Sequence, residues 1–319
     1  MSSISGIHHI TAICGDAQEN LDFYAGVLGM RLVKRSVNQD SPGTYHLFYA
    51  DAEGRPGTDL TFFPWPEMGP GRRGVGKATE ISLAVPSGSL GYWSDRLGSA
   101  GAALRPTEVR RGWNTLPLSD PHGLPIALVE AEDRPGFSPW ERTDVPAERQ
   151  ARGLHSLRAL VPSLAATERF VIDTLGFAAQ GVEEQWHGYG PDAGGSGRLI
   201  EVAEAPGVQR GEWGVGSMHH VAWRVPDDAA ELAMRQRVAA AGRHPTEVID
   251  RFWFKSVYFQ EPGGVLFELA TDGPGFAVDE DPGKLGETLV LPPWLEPHRR
   301  EIEAALPPIE LPDFTGVPR

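Results

Sequence analysis

GIHHITAIC at residues 6–14 and SMHHVAWRVP at residues 217–226 set the same His-His doublet at the start of an alternating apolar run. ATEISLAVP at 78–86 and GLHSLRALVP at 153–162 carry the same alternation without the doublet. Period-2 alternation marks a strand with one face buried. Aligned on their apolar positions, the four starts place His9, Glu80, Ser156 and His220 in one column, 64 to 76 residues apart. A spacing that drifts in this way is expected of one supersecondary unit repeated with loop insertions.

A helix pattern follows each start. In the first unit Asp16 and Glu19 read as a capping box, Leu21, Tyr24 and Leu28 as an apolar stripe, and Gly29 as the stop. Phe23-x4-Leu28-Gly29 returns in the third unit as Phe170-x4-Leu175-Gly176, and the second and fourth units share Arg-x-x-x-x-Gly at Arg96/Gly101 and Arg237/Gly242. The pattern is that of a duplicated duplication. Each unit closes with a turn and a final strand: DLTFF after Pro56-Gly57, LPIALVE after Pro121-His122-Gly123, GGSGRLIEV, and VLFEL after Pro262-Gly263-Gly264. These ends place Phe62, Ala127, Glu201 and Glu268 in a second column.

Each unit therefore reads β-α-β-β-β, and the fold class is α+β. A curved sheet with one open face cannot bury that face alone, so units must pair into partly closed barrels around a shared cleft. The expected organisation is module 1 over 1–70, module 2 over 75–140, module 3 over 150–205, module 4 over 215–275 and a C-terminal extension over 276–319. The extension is Pro-rich (LPPWLEP, ALPPIELP) and reads as a helix with an extended arm.

Composition narrows the function classes. The chain has 319 residues with 40% hydrophobic and 23% charged, which excludes wholesale disorder. Its 38 Gly and 28 Pro favour short strands and tight turns over long helices. A formal charge of −14 argues against nucleic acid or an anionic membrane as partner. Cys14 is the single cysteine, so no internal disulfide can form, which fits a cytoplasmic location. It sits in an apolar strand and reads as a buried, inert thiol. The N-terminus shows neither a signal peptide nor a membrane span.

The two columns together suggest a metal site. One combination gives two imidazoles and a carboxylate: His9, His220 and Glu268. Such a set on one face of an octahedral ion leaves three positions open, the arrangement used by non-haem Fe(II) oxygenases. A Glu inside the apolar run VLFELA needs a partner, since burying an unpaired charge is costly. Because side chains alternate along a strand, one His of each doublet should face the cleft and the other away. The column assigns His9 and His220 inward, with His8 and His219 as the alternative. Glu80 and Glu201 read as structural or solvent-facing.

These residues carry a resemblance. IHHIT (7–11), GDAQEN (15–20), YHLFYAD (45–51), GRPGT (54–58), MHHVAWRVPD (218–227), SVYFQEPGGVLFELATD (256–272) and LPPWLEPHR (291–299) make the chain resemble the vicinal oxygen chelate superfamily. In particular, nearly the whole chain is similar to the (chloro)hydroquinone 1,2-dioxygenases. The resemblance implies His9, His220 and Glu268 as metal ligands, in agreement with the columns. It implies Tyr258 and Arg251 as pocket residues with catalytic roles, Tyr258 as hydrogen-bond donor or acid/base and Arg251 as anion anchor, with Thr11 at a further pocket position. His46 is an additional candidate beside the metal. Ordinary extradiol catechol dioxygenases take their first His from unit three, where this chain has Ser156, so units one and four are expected to share the metal barrel.

The implied cofactor is Fe(II), with Mn(II) as the alternative. The expected partners are a small aromatic substrate, dioxygen and further copies of the chain in a homo-oligomer. The competing readings are a glyoxalase-type lyase or isomerase, which would want a fourth ligand where Phe62 stands, a catechol extradiol dioxygenase, and a metal-free binding protein that confers resistance.

Overall fold

The computed structural model describes residues 3–133 and 136–312. In chain order the strands are β1 (Gly6–Cys14), β2 (Arg31–Asn38), β3 (Ser41–Ala50), β4 (Asp59–Pro64), β5 (Lys77–Val85), β6 (Ala103–Leu104), β7 (Glu108–Arg110), β8 (Trp113–Ser119) and β9 (Pro125–Glu130). They continue with β10 (Leu154–Val161), β11 (Ala178–Glu183), β12 (Trp186–Gly190), β13 (Leu199–Glu204), β14 (Ser217–Val225), β15 (Ile249–Asp250), β16 (Lys255–Gln260) and β17 (Leu266–Thr271). The helices are α1 (Ala17–Leu21), α2 (Leu90–Ser99), α3 (Leu164–Arg169), α4 (Asp228–Ala240) and α5 (Arg299–Ala305).

The architecture is α+β, with two curled sheets. One runs β15-β16-β17-β14-β1-β4-β3-β2, and the other β11-β12-β13-β10-β5-β9-β8-β6 with β7 on β8. Each repeat uses the same pairing: its first strand lies parallel to its last, as in β1/β4, β5/β9, β10/β13 and β14/β17. Parallel neighbours require a crossover, which α1 to α4 begin. Antiparallel β1/β14 and β5/β10 join two repeats at the centre of each sheet. The strands that carry the two His-His doublets are therefore side by side.

Asp16 caps α1 by accepting from the backbone N–H groups of Gln18 and Glu19. The return half of the capping box is replaced: Glu19 Oε2 instead lies 3.2 Å from His122 Nε2. After α1 the chain widens into a π-helical turn over Asp22–Val27, and after α3 into another over Phe170–Thr174. The second and fourth helices have no such turn, so the shared Phe-x4-Leu-Gly pattern corresponds to a shared irregularity.

The links between repeats hold a motif that strand periodicity does not reveal. Gly71-Arg72-Arg73-Gly74-Val75-Gly76 and Gly211-Glu212-Trp213-Gly214-Val215-Gly216 both read G-x-x-G-V-G. The two segments clasp one another. Gly71 N–H donates to Val215 O, Gly211 N–H to Val75 O, and Arg72 and Glu212 exchange backbone bonds. A Cβ at Gly214 would lie 2.4 Å from Gly69 O and 2.6 Å from Gly71 N, closer than real Cβ atoms come.

The extension packs along β2 and β3. Val290 N–H donates to Arg35 O, Tyr45 Oη to Pro307 O, and Glu310 N–H to Gln18 Oε1. Lys34, fully buried on β2, donates to Phe276 O and Asp279 and forms an ion pair with Glu280. Asp279 also accepts from Trp253 Nε1, which ties the extension to the wall of the main cavity. The expected helix is α5, followed by an extended arm to residue 312; positions 313–319 lie outside the described residues. Among the described residues, no helix is long and apolar enough to cross a membrane.

The glycine clasp yields a stability prediction. Gly214→Ala forces backbone against backbone, so it should cost about 1–3 kcal/mol and lower the thermal midpoint by several degrees. An unchanged melting curve would show that the clasp yields without strain.

Candidate metal centre

Registers across the first sheet set the site. Tyr258 pairs with Glu268, Glu268 with Ala222, Ala222 with His9, and His9 with Asp59, forming one row over five strands. The neighbouring row is His220, Thr11 and Thr61. Residues that pair across strands share a face of the sheet, so the two rows place all these side chains toward one cleft. Ala222 leaves room between His9 and Glu268.

This register corrects the second column. The position equivalent to Glu268 in the first repeat is Thr61, paired with Thr11 as Glu268 is with Ala222. Phe62, one residue on, points to the other face and packs against Tyr24 with ring centroids 4.4 Å apart. No carboxylate stands at the fourth corner in either case.

The doublets differ from simple alternation. The β1/β14 register skips His8 between Ile7 and His9, and skips His219 between Met218 and His220. Each skip is a β-bulge, and the β5/β10 pair repeats it at Thr79 and His155. A bulge suspends alternation locally and re-aims side chains. His8 and His219 thus do not face away. His8 Nδ1 lies 2.9 Å from His9 Nδ1, and His219 Nδ1 lies 2.8 Å from His220 Nδ1.

These contacts fix a tautomer. The Thr271 carbonyl, 3.2 Å from His8 Nε2, can only accept, so that nitrogen carries the proton. His8 Nδ1 is then the acceptor and His9 Nδ1–H the donor. In the neutral ring, the form a metal ligand needs, the lone pair of His9 Nε2 then points into the cleft. Burial, followed by the neighbouring His9, pushes His8 down to about 3, so it stays neutral.

At the centre, His9 Nε2 is 3.3 Å from His220 Nε2 and 3.3 Å from Glu268 Oε2, and His220 Nε2 is 2.9 Å from that same oxygen. The three residues are 1%, 5% and 0% exposed. Ser256 Oγ donates to Glu268 Oε1 at 2.5 Å, while no donor is aimed at Oε2. Burial alone would raise the Glu268 carboxyl, but the two imidazoles hold it well below the usual range. Among the described residues, this is the group of three with metal-ligating atoms in mutual reach.

The structure also gathers the other candidates here. Thr11 Oγ1 lies 2.9 Å from His220 Nε2 and 2.8 Å from Thr61 Oγ1, and Thr61 Oγ1 lies 2.9 Å from His46 Nε2. The Tyr258 ring is 5.5 Å from that of His220. Burial and then the Glu268 charge raise its phenol, so the hydroxyl keeps its proton near neutral pH. Arg251 stands 5.5 Å from the Tyr258 ring but is held by both oxygens of Asp40, at 2.9 and 3.3 Å. It is therefore a cation already paired with a carboxylate. A small cavity opens in front, walled by Phe48, Phe63, Trp253 and Phe254.

Thr61, Ser256, Asp40 and Asp59 are the site residues that sequence reasoning missed. Asp59 gave a signal as a lone acid opening the apolar run DLTFF. It is buried and neither of its oxygens has a hydrogen-bond partner.

In the second sheet the same column is closed by ion pairs. Glu80 is held by Arg105 and Arg110, and Glu201 by Arg111 and Arg158. Both glutamates are buried and structural, not solvent-facing. Cys14 is fully buried with its thiol raised well above its ordinary value, the inert state expected.

The Glyoxalase/Bleomycin resistance protein/Dioxygenase superfamily model matches residues 6–128 and 153–269, and the chain belongs to that superfamily. It is 41% identical to "Putative ring-cleaving dioxygenase MhqO" of Bacillus subtilis (strain 168), over 96% of this chain and 97% of that one. It is 32% identical to the chlorohydroquinone/hydroquinone 1,2-dioxygenase of Sphingobium indicum, over 94% of this chain and 95% of that one. The crystal structure of a "putative dioxygenase" from Bacillus subtilis superposes with a TM-score of 0.91 at 39% identity, covering 98% of this chain and 100% of that one.

Asp59 gives a pH prediction. Burial pushes its carboxyl up to about 7 from an unfolded value near 3.8. The folded state then holds a proton that the unfolded chain has released, so Asp59 erodes stability as pH rises from about 4 to 7. Asp59→Asn in metal-free protein should raise the thermal midpoint more at pH 8 than at pH 5. A pH-independent difference would show that Asp59 is ionised when buried.

Proposed function

We propose that this protein is a ring-cleaving dioxygenase that opens hydroquinone-type aromatic diols with dioxygen, using Fe(II), or alternatively Mn(II), held by His9, His220 and Glu268. The observation that carries the reading is the orphaned Glu268 Oε2 facing the two imidazole Nε2 atoms. Ligands about 2.1 Å from an ion and at right angles are roughly 3.0 Å apart, and the three separations here run from 2.9 to 3.3 Å. The donor set, two imidazoles and a carboxylate, suits a ferrous oxygenase. Such a metal supplies Lewis acidity and the electron transfer that lets an aromatic ring react with dioxygen.

The chain's own residues supply the rest. The aromatic walls hold a ring away from water. The Tyr258 hydroxyl, which keeps its proton, can donate to an oxygen of the substrate or of the developing product. His8 and His219, each against the Nδ1 of a neighbouring imidazole, orient His9 and His220, a type of support that commonly tunes metal affinity. The first and fourth modules carry the metal, and the second and third form the closed companion barrel.

Two features weigh against the competitors. Thr61 supports three protein ligands over the four of a glyoxalase-type isomerase. Ser156, within the closed second sheet, speaks against the catechol arrangement. The single cysteine supports a cytoplasmic location, and a homo-oligomer remains the expected assembly.

Three outcomes test the reading. His9→Ala, His220→Ala and Glu268→Ala should each lose bound iron or manganese by elemental analysis; stoichiometric retention in any of them removes the assignment. After anaerobic Fe(II) loading, para-diols should drive faster oxygen uptake than ortho-diols. Tyr258→Phe should then lower kcat by about 10²–10⁴-fold at unchanged metal content. Faster turnover of catechol would replace the hydroquinone reading with the catechol one.

A further inference from the structure

Arg251 is the one lysine or arginine among the described residues that line the cavity, and its charge is already taken. Asp40, at the tip of the turn that joins β2 to β3, accepts from Nη2 at 2.9 Å and Nη1 at 3.3 Å. Gln39, beside it, donates from Nε2 to the Arg251 carbonyl at 2.9 Å. The arginine is fixed from its own side as well: Arg251 N–H donates to Phe254 O, and Phe252 is left-handed at φ 75°. An aromatic residue in that conformation is uncommon, and here it lies in the short turn that presents Arg251 to the hairpin.

The rest of the cavity offers no compensating positive charge. His46 is half-buried, and desolvation pushes it well below its ordinary pKa, so it is neutral, and the walls are aromatic. On the hydroquinone reading, a divalent ion, the Glu268 carboxylate and one substrate phenolate sum to zero, and Asp59, the other acid of the row, can only add negative charge. A ring carboxylate would bring in one further negative charge. The cation that could receive it is already forked onto Asp40, and an unpaired charge against apolar walls is strongly disfavoured.

We infer that Asp40 is a specificity-determining residue: by neutralising Arg251 it makes the cavity select hydroquinones with uncharged substituents over carboxylated ones. This rests on the hydroquinone reading. Asp40 itself is largely exposed, with its side chain 75% accessible, so its substitution should not disturb folding.

The test is anaerobic calorimetric titration of the Fe(II)-loaded protein with hydroquinone and with 2,5-dihydroxybenzoate. Wild type should bind hydroquinone more tightly. In Asp40→Asn, and equally in Asp40→Ala, the affinity ratio should move toward the benzoate by about tenfold, the size of effect expected when an arginine is freed to fork a carboxylate. The shift should shrink in high salt. An unmoved ratio in both variants, or a wild type that binds the benzoate as tightly as hydroquinone, overturns the role given to Asp40 and leaves the hydroquinone reading standing. Failure of wild type to bind either ligand overturns the hydroquinone reading itself, and this inference with it.

Discussion

One oxygen of one buried carboxylate is the constraint on which the site depends. Glu268 is fully buried in the middle of a sheet; Ser256 satisfies one oxygen, and the other faces two imidazole nitrogens with no hydrogen aimed at it. Left alone, that arrangement costs several kcal/mol. A cation between the three atoms would turn the cost into binding energy, and metal affinity would then be part of the free energy of the folded state. The bulges at His8 and His219 serve the same end. They bring a second imidazole beside His9 and beside His220 and, through the Thr271 carbonyl, turn the lone pair of a neutral His9 inward.

The companion barrel shows what the scaffold does without that demand. Its strands repeat the pairing and the bulges, yet the corresponding positions hold Glu80 and Glu201, each neutralised by two arginines. Arg110 ends β7 and Arg111 begins the turn to β8, so one short hairpin supplies a cation to each glutamate. The same four-part framework thus carries a His-His-Glu cluster in one half and Glu-Arg ion pairs in the other. Side chains at a few register positions, not backbone topology, make the difference.

Much of this was readable from the residues. Alternation and turn chemistry exposed four repeats, and their columns singled out His9, His220 and Glu268. The failures share a physical origin. Period-2 reasoning does not reveal register: it sent His8 and His219 to the wrong face, where a bulge adds one residue, and it placed Phe62 where the unbulged β1/β4 pairing puts Thr61. Asp40 escaped because its partner is 211 residues away. The glycine clasp escaped because neither linker alternates. Local pattern reveals elements and their faces, whereas contacts between distant turns need the assembled sheet.

The most direct test of the metal account is anomalous diffraction from crystals of the metal-loaded protein, recorded at the iron edge. The account predicts one peak, about 2.1 Å from His9 Nε2, His220 Nε2 and Glu268 Oε2. A peak elsewhere in the molecule, or a loaded protein without a peak between these three atoms, would contradict it.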